Sequence, residues 1–314
     1  MLETAEHHSS GNAGPRPAAP FYLVGATGVG KSSIALALAE RCGGEIVNAD
    51  AYQLYDGLDI VTAKPNQADR ARVPHHLYGI FPTSEHIDAA KYERLGRATI
   101  AEILDRRRLP LVVGGSGLYV KALTHGMSPL PRSEPVLRAE LEARSDEELI
   151  AQFESLDPAG AATTNLKNRR YVIRALEICL LGGRPMSEQK TAWQSEPLAY
   201  RGVLIQRDRA ELYERINART QMMVAAGLLD EVRALDGLSE TAEKAIGIRE
   251  VQSHLRGEIN LATCIDKIQQ ATRRYAKRQI NWFSREPGFT SICITSADDP
   301  NSAVDRILDA FPDL

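Results

Sequence analysis

The stretch that decides the fold is Gly25-Ala26-Thr27-Gly28-Val29-Gly30-Lys31-Ser32. It fits the pattern G-x-x-x-x-G-K-[ST], in which a glycine-rich turn leads from a strand into a helix. In such a turn the backbone N–H groups and the helix N-terminus converge on an anion, Lys31 adds a positive charge, and the Ser32 hydroxyl can ligate Mg²⁺. The pattern predicts a loop that holds a diphosphate, but by itself it does not name a reaction.

Short apolar runs alternate with helical periods on both sides of this loop, which is typical of a parallel sheet flanked by helices. From 128 to 193 the strand pattern disappears and helical stretches remain, at 136–143 and 170–181. We therefore predict an α/β fold, a P-loop NTPase-like parallel sheet flanked by helices, with a helical insertion domain. The predicted strands are 21–24, 45–48, 111–113, 202–206 and 291–294, and the predicted helices between them are 32–41, 89–107 and 210–235.

The predicted organisation has four parts. Residues 1–20 are rich in Ser, Gly, Pro and Ala and are expected to form a flexible tail. The P-loop core has its first part in 21–127 and its second part, with basic helices, in 201–314. The helical insertion domain between them is 128–200.

The composition bounds the class of protein. The 314 residues are 43% hydrophobic and 25% charged, as in an ordinary globular protein. No stretch reaches the roughly 18 apolar residues of a membrane span, and the N-terminus lacks a basic start followed by an apolar run. We expect a cytoplasmic protein with no membrane partner. The cysteines are far apart, which argues against a zinc site or a disulfide framework, and we expect buried, reduced thiols at Cys42, Cys179, Cys264 and Cys293.

Charge is distributed unevenly. The formal net charge is -3, which does not suggest a nucleic-acid partner, because Lys and Arg supply most of the affinity for phosphates. Between Lys244 and Arg285, however, basic residues outnumber Glu250, Glu258 and Asp266. This segment predicts a basic surface, and the alternative is a solvated helix face with scattered charge. The basic residues are Lys244, Arg249, Arg256, Lys267, Arg273, Arg274, Lys277, Arg278 and Arg285.

Asp50 follows the second predicted strand. Ligands bind at the carboxyl ends of strands in open α/β sheets, so this carboxylate is expected beside the phosphate loop. The alternative is an aspartate that only caps the turn after the strand.

The residues from Asn48 to Pro65, NADAYQLYDGLDIVTAKP, strongly resemble the tRNA dimethylallyltransferase family, which has Asp-Ser in a similar place followed by Gly-Met-Asp-Ile-Gly-Thr-Ala-Lys-Pro. The resemblance extends from Phe21 to about Arg285. It implies transfer of a dimethylallyl group from dimethylallyl diphosphate to N6 of the adenosine adjacent to the anticodon in tRNA, with release of pyrophosphate and Mg²⁺ as cofactor. Other similar stretches are 74–77, 113–119, 128–131, 170–177 and 276–282.

The resemblance also implies roles for individual residues. Asp50 matches the family's general base, and Thr27, Lys31 and Arg219 would complete the catalytic set by holding the donor. Gly25, Ala26, Thr27, Gly28, Val29, Gly30, Lys31 and Ser32 would bind the diphosphate, with Ser32 as metal ligand. The anticodon stem-loop would contact Asp50, Ala51, Tyr52, Gln53, Ser116, Arg138, Arg170, Tyr171, Arg174, Lys244, Gly247, Arg249, Lys277, Arg278 and Gln279. For Ile173 and Ile280 we expect core packing, and for His75 and His76 a structural role.

The sequence departs from the family pattern at positions that carry no catalytic charge. Ala51 replaces a serine and removes a hydroxyl that could contact tRNA, and Val61 replaces a glycine and adds bulk. Three further departures are Asn48 for Ser, Ser116 for Thr and Ala26 for Pro. These positions bear on tRNA specificity rather than on the reaction.

Three other functions stay open at this point. A small-molecule kinase would explain the phosphate loop but not the basic segment. An adenylate isopentenyltransferase, which prenylates free nucleotide, would leave the helical insertion and the basic segment unused. A nucleic-acid-binding module without chemistry would make Asp50 and Lys31 incidental. For the predicted tRNA-modifying enzyme we expect a monomer with no obligate protein partner.

Overall fold

The computed structural model describes residues 19–127, 130–191 and 200–314. Most of the predicted tail, 1–18, and the Ser128-Pro129 part of one family-like stretch lie outside the described residues. Within the described chain six strands form one sheet in the order β3-β2-β4-β1-β5-β6, and all paired neighbours are parallel. The strands are β1 (Phe21–Gly25), β2 (Gly44–Asn48), β3 (His75–His76), β4 (Leu109–Gly114), β5 (Arg201–Arg207) and β6 (Thr290–Ile294).

The helices occupy most of the remaining described residues. They are α1 (Lys31–Cys42), α2 (Gln67–Arg72), α3 (Ala89–Asp105), α4 (Gly117–His125), α5 (Pro135–Glu142), α6 (Asp146–Leu156), α7 (Pro158–Thr163), α8 (Arg169–Gly182), α9 (Met186–Thr191), α10 (Arg209–Ala225), α11 (Leu228–Arg233), α12 (Ile248–Leu255), α13 (Leu261–Phe283) and α14 (Pro300–Ala310), with a 3₁₀ turn at Ala242–Lys244. No helix in the described ranges is both long and apolar enough to pass through a bilayer.

The predicted fold class is confirmed, since the parallel sheet is flanked by helices. Strands β1, β2 and β4 are buried along their whole length, as expected for a sheet covered on both faces. Strand β1 lies between β4 and β5, so the loop that follows it leaves the middle of the sheet. The carboxyl ends of β1, β2 and β4 meet at one edge of the sheet, which brings Gly25, Asn48 and Gly114 near one another.

The predicted continuous helix 210–235 is wrong. The structure has α10 and α11 instead, and the break falls at Gly227, whose φ of +101° is a left-handed conformation that glycine adopts readily. The short strand β3 was not predicted because two residues carry no alternating pattern. The expectation of buried cysteines is confirmed for Cys179 and Cys264 and wrong for Cys42, which is half-buried, and for Cys293, which is exposed on β6; all four are free thiols.

The chain divides into two compact units, one of Met1–Thr124 with Ala199–Leu314 and the other of His125–Leu198. The larger unit contains the sheet. The smaller unit, among its described residues, consists of helices around a core that includes Leu141, Phe153 and Leu176. Asp157 caps α7 by accepting from Gly160 N at 2.8 Å and also accepts from Ser187 N at 2.8 Å, so a buried carboxylate joins α7 to α9. The limits predicted for the helical insertion domain, 128–200, remain a prediction.

Candidate active site

The loop 25–32 takes up the conformation of a phosphate-binding turn. Gly28 and Gly30 have φ values of +83° and +108°, and α1 begins directly after Gly30. A Cβ on Gly25 would lie 2.6 Å from the carbonyl oxygen of Ile205 on the neighbouring strand, so only glycine fits there. The Lys31 Nζ donates to the carbonyl oxygens of Gly25 at 2.9 Å and Ala26 at 2.8 Å. The loop therefore folds around the ammonium group of Lys31, at the carboxyl ends of the central strands.

Asp50 lies just beyond the end of β2 in a turn that its own side chain helps to form. The Tyr52 backbone N–H donates to Asp50 Oδ1 at 3.1 Å. Asn48 holds the backbone of Asp50 on both sides, because its Oδ1 accepts from Asp50 N at 2.8 Å and its Nδ2 donates to Asp50 O at 3.0 Å. Asp50 therefore caps the turn, and it also lines the main cavity, so the two interpretations of this residue do not exclude each other.

Asp50, Lys31, Arg219 and Thr27 share one cavity of about 730 Å³, which Ser32 also lines. Arg219 comes from α10, and its guanidinium donates to Thr27 Oγ1 at 3.3 Å and to the Thr62 carbonyl at 3.4 Å. All four residues of the predicted catalytic set are thus brought together from β2, α1, α10 and the loop. The two cations, Lys31 and Arg219, suit an anionic leaving group, because they can stabilise the negative charge that develops on it. The carboxylate of Asp50 can take up a proton in the same cavity.

Burial shifts the acid–base properties of these groups. Desolvation raises the pKa of Asp50, and the Tyr52 N–H, Lys31 and Arg219 partly oppose the rise. Desolvation also lowers the pKa of Lys31 to about 8, with Asp50 opposing the change and Arg219 adding to it. The pKa of Arg219 is lowered for the same reason, and Asp50 opposes that shift. Burial disfavours the charged form of each group, and the opposite charge beside it offsets part of that free-energy cost.

Two supporting residues were missed by sequence reasoning or given another role. Gln279 on α13 is buried: its Oε1 accepts from Thr27 N at 2.8 Å and its Nε2 donates to the Gly115 carbonyl at 2.9 Å. It therefore supports the loop, and the RNA contact expected of it stays a prediction. Arg215 donates from Nε to the Gly28 carbonyl at 2.9 Å. Its place one helical turn before Arg219 is a signal that could have found it.

A smaller, mainly apolar pocket of about 60 Å³ adjoins the cavity. Thr27, Asp50, Thr62 and Arg219 line both spaces. The residues that line only the smaller one include Val61, Ile216, Met223, Ile246, Ile268 and Tyr275. The carboxylate of Asp50 therefore stands between an ionic compartment and an apolar one.

The predicted RNA-contacting residues of the larger unit fall into two groups. Some are tied into the loops of the site: Ala51 N donates to Ser116 Oγ at 3.0 Å, and Gln53 Nε2 donates to the Thr62 carbonyl at 2.9 Å. Gly247 is a buried helix cap with φ +113°, whose N–H donates to Glu250 at 3.0 Å.

The second group carries charge at the surface. Lys277 and Arg278 are exposed on α13, and Arg278 lies 5.5 Å from the ring centroid of Tyr275. Arg249 is exposed and pairs with Glu243, while Lys244 pairs with Glu240. Ile280 on the same helix is 38% exposed, so its predicted core packing is wrong.

The predicted contacts in the smaller unit lie on α5 and α8. Arg138 and Arg174 both pair with the fully buried Glu177, at 3.6 Å and 3.3 Å. Arg170 is exposed, and Tyr171 is 58% exposed. The arginines that pair with Glu177 compensate a buried charge, whereas Arg170 and Tyr171 offer free surface.

The predicted structural role of the two histidines fits their bonds. His75 Nδ1 lies 2.8 Å from the Val73 carbonyl, and His76 Nε2 lies 2.7 Å from Glu45. Among the described residues no group of three or more His, Cys, Asp or Glu side chains is placed to hold a metal ion. Mg²⁺ needs no such group when it keeps several waters and takes its other ligands from a substrate's phosphates. The Ser32 hydroxyl at the cavity is compatible with that kind of site.

Comparison with known proteins gives consistent matches. Residues 53–286 match the family model described as IPP transferase. A tRNA dimethylallyltransferase of Akkermansia muciniphila is 43% identical over 92% of this chain and 98% of its own length, and one of Anaeromyxobacter dehalogenans is 44% identical over 91% and 97%. Both alignments extend well beyond the family-model match.

Solved structures agree with these relatives. The tRNA isopentenylpyrophosphate transferase of Bacillus halodurans has a TM-score of 0.69 and 34% identity, covering 95% of this chain and 97% of that protein. A eukaryotic dimethylallyltransferase acting on tRNA has a TM-score of 0.79 and 25% identity, covering 92% of this chain and 77% of that protein.

The lowered pKa of Lys31 predicts how anion binding responds to pH. The ammonium is charged below its pKa of about 8 and neutral above it, so affinity for inorganic pyrophosphate should fall as pH rises through that value. The limiting loss attributable to this one proton is about tenfold per pH unit. Titration calorimetry across this range measures it, with Lys31→Met as the comparison. Subtracting the profile of Lys31→Met removes the ionisation of pyrophosphate itself, and identical profiles for the two proteins would contradict the assignment.

Proposed function

This chain belongs to the IPP transferase family, and its relatives reported above are tRNA dimethylallyltransferases. We propose that it transfers a dimethylallyl group from dimethylallyl diphosphate to N6 of the adenosine adjacent to the anticodon in tRNA. Pyrophosphate is released. The observation that carries the assignment of residues is the shared cavity, in which the carboxylate of Asp50 adjoins Lys31, Arg219 and the loop 25–32. Asp50 and the loop precede the family-model match, so their roles rest on this geometry.

The transfer forms the N6–C1 bond, breaks the C1–O bond of the donor and moves one amine proton to the base. The N6 amine attacks C1 of the donor, the C1–O bond breaks, and its electron pair leaves with pyrophosphate. The amine proton passes to Asp50, and such a general base typically contributes about 10² to 10⁴ in rate. The raised pKa of Asp50 makes it a better proton acceptor than an ordinary carboxylate, while the neighbouring cations Lys31 and Arg219 oppose the rise and favour its ionised form.

The cations of the site serve the leaving group. Lys31, Arg219 and the loop amides hold the diphosphate before transfer and stabilise the charge that develops on it. Thr27 ties the loop to α10 and α13, because its Oγ1 accepts from Arg219 and its N–H donates to Gln279. The apolar pocket beside Asp50 suits the dimethylallyl group, which gains by leaving water. The donor would thus be held with its reacting carbon close to the base.

Mg²⁺ is the proposed cofactor. Ser32 would hold it together with water and diphosphate oxygens, and the ion would add positive charge next to the leaving group. The anticodon stem-loop is the proposed partner, and its adenosine must be unstacked to reach the site, at a cost of a few kcal/mol. A tRNA substrate supports a cytoplasmic location, and we retain a monomer as the proposed assembly.

The deciding experiment combines the purified chain with Mg²⁺, labelled dimethylallyl diphosphate and either tRNA or AMP. We expect label in tRNA, and nuclease digestion followed by mass spectrometry should place it on the adenosine adjacent to the anticodon. Label in AMP alone would support the adenylate isopentenyltransferase instead. Transfer of phosphate from ATP to a small molecule, with no prenyl transfer, would support the kinase.

Asp50→Asn should lower the rate of transfer by about 10² to 10⁴ while leaving tRNA binding largely intact. The amide oxygen can still accept from Tyr52 N–H, so the turn is kept and only the base is removed. Single-turnover rates and filter binding measure the two effects. Asp56→Asn changes a nearby exposed carboxylate outside the cavity and is the matched control. Loss of tRNA binding in Asp50→Asn would show that the residue is structural.

Binding of tRNA should weaken steeply with salt, and Lys277→Ala should reduce the slope of log affinity against log salt by about one. Lys277 is exposed and supplies one positive charge to the predicted basic surface. Arg306→Ala, on α14 outside that surface, should keep the wild-type slope. A response to salt that is flat in all three proteins would refute the basic surface.

A further inference from the structure

One carboxylate of α11 binds three consecutive backbone N–H groups at the edge of the site. Glu231 Oε2 accepts from Asp59 N at 2.9 Å and from Ile60 N at 2.6 Å, and its Oε1 accepts from Val61 N at 2.8 Å. Hydrogen bonds to an ionised acceptor are about twice as strong as neutral ones, and here both oxygens are used. The half-buried Glu231 therefore anchors the segment 59–63 to the helix.

The anchored segment forms part of both compartments of the site. Val61 lines the apolar pocket, and Thr62 lines both the pocket and the larger cavity. The Thr62 carbonyl accepts from Arg219 at 3.4 Å and from Gln53 at 2.9 Å. The position of this segment therefore sets one wall of the pocket and one of the contacts that orient Arg219.

The segment also keeps its own shape. Ala63 N donates to the Ile60 carbonyl at 3.0 Å, Lys64 N donates to the Asp59 carbonyl at 2.9 Å, and Lys64 Nζ pairs with Asp59 Oδ1 at 2.7 Å. These bonds do not involve Glu231. Removal of the Glu231 carboxylate should therefore displace the segment as a body instead of unfolding it.

Val61 is held in a narrow place. Its side chain is 6% exposed, and a Cβ added to Gly247 would lie 2.8 Å from Val61 Cγ2, so the backbone at the start of α12 approaches it closely. The pocket measures about 60 Å³, so a small movement of Val61 changes a large share of its volume. A valine stands here where the resembling family has glycine, and its side chain adds bulk to the wall of the pocket.

We infer that Glu231 is a positioning residue that fixes Val61 in the wall of the apolar pocket and thereby restricts the donor to a short isoprenoid chain. The inference rests on the proposed function, because it assigns that pocket to the hydrocarbon part of the diphosphate donor. It concerns the choice of donor and leaves the acceptor unchanged.

The test compares dimethylallyl diphosphate with the ten-carbon geranyl diphosphate, using tRNA as acceptor. Glu231→Gln should raise KM for the shorter donor and reduce the preference in kcat/KM for it by about tenfold, a size typical of discrimination by an apolar pocket. Val61→Ala should reduce the same preference while the carboxylate is intact. Asp230→Asn is the matched control, since it removes a charge from the same turn of α11, where Asp230 pairs with the exposed Arg233, and it should keep the wild-type preference.

The outcomes separate the inference from the proposed function. A purely structural role of Glu231 would lower stability or overall rate without changing the ratio between the donors, and an unchanged ratio in Glu231→Gln or in Val61→Ala overturns the inference. If Glu231→Gln does not fold, Val61→Ala decides. A wild-type chain that prenylates no tRNA overturns the proposed function instead. In that case the calorimetric affinities of the two diphosphates for the same proteins still decide the question of chain length.

Discussion

The site depends on one electrostatic arrangement, a carboxylate held in a desolvated cavity beside two cations. Without Lys31 and Arg219, burial would favour the protonated form of Asp50, and without Asp50 the two cations would repel each other unopposed. The arrangement exists because β1, β2 and β4 end at the same edge of a parallel sheet. The sheet topology places these three side chains close together, and the charge of each affects how easily the others stay ionised.

Neutral hydrogen bonds fix the geometry that the charges need. Asn48 grips the backbone of Asp50 and also donates to the Leu77 carbonyl, while Tyr92 donates to the Asn48 carbonyl at 2.8 Å. On the other side, Gln279 holds Thr27. The residues proposed to take part in chemistry, Asp50 and Thr27, are therefore positioned by side chains whose hydrogen-bonding groups face inward, as buried polar groups require.

The parts of this arrangement that follow from local sequence could be predicted. The glycine-rich turn is specified by residues that adopt left-handed backbone angles, and Asp50 is specified by its place after an apolar run. Both were therefore predicted from the sequence, together with the strands that precede them. Gln279 was predicted to contact RNA because the stretch 276–282 resembles the family. Its inward orientation depends on the helical phase of α13 against a loop about 250 residues away. The contacts of Glu231 were equally inaccessible, since they depend on a helix break at Gly227 that the charge and apolar pattern of 210–235 concealed.

The bond between Thr27 and Gln279 has a thermodynamic consequence. Helix α13 presents Lys277 and Arg278 to solvent and, within the same turn, Gln279 to the loop at Thr27. A ligand that shifted this helix would act on the loop through that hydrogen bond, and a ligand that tightened the loop would act on the helix. Linkage requires that two such ligands alter each other's affinity by the same factor. The side chain of Gln279 is thus the contact through which such a linkage would pass.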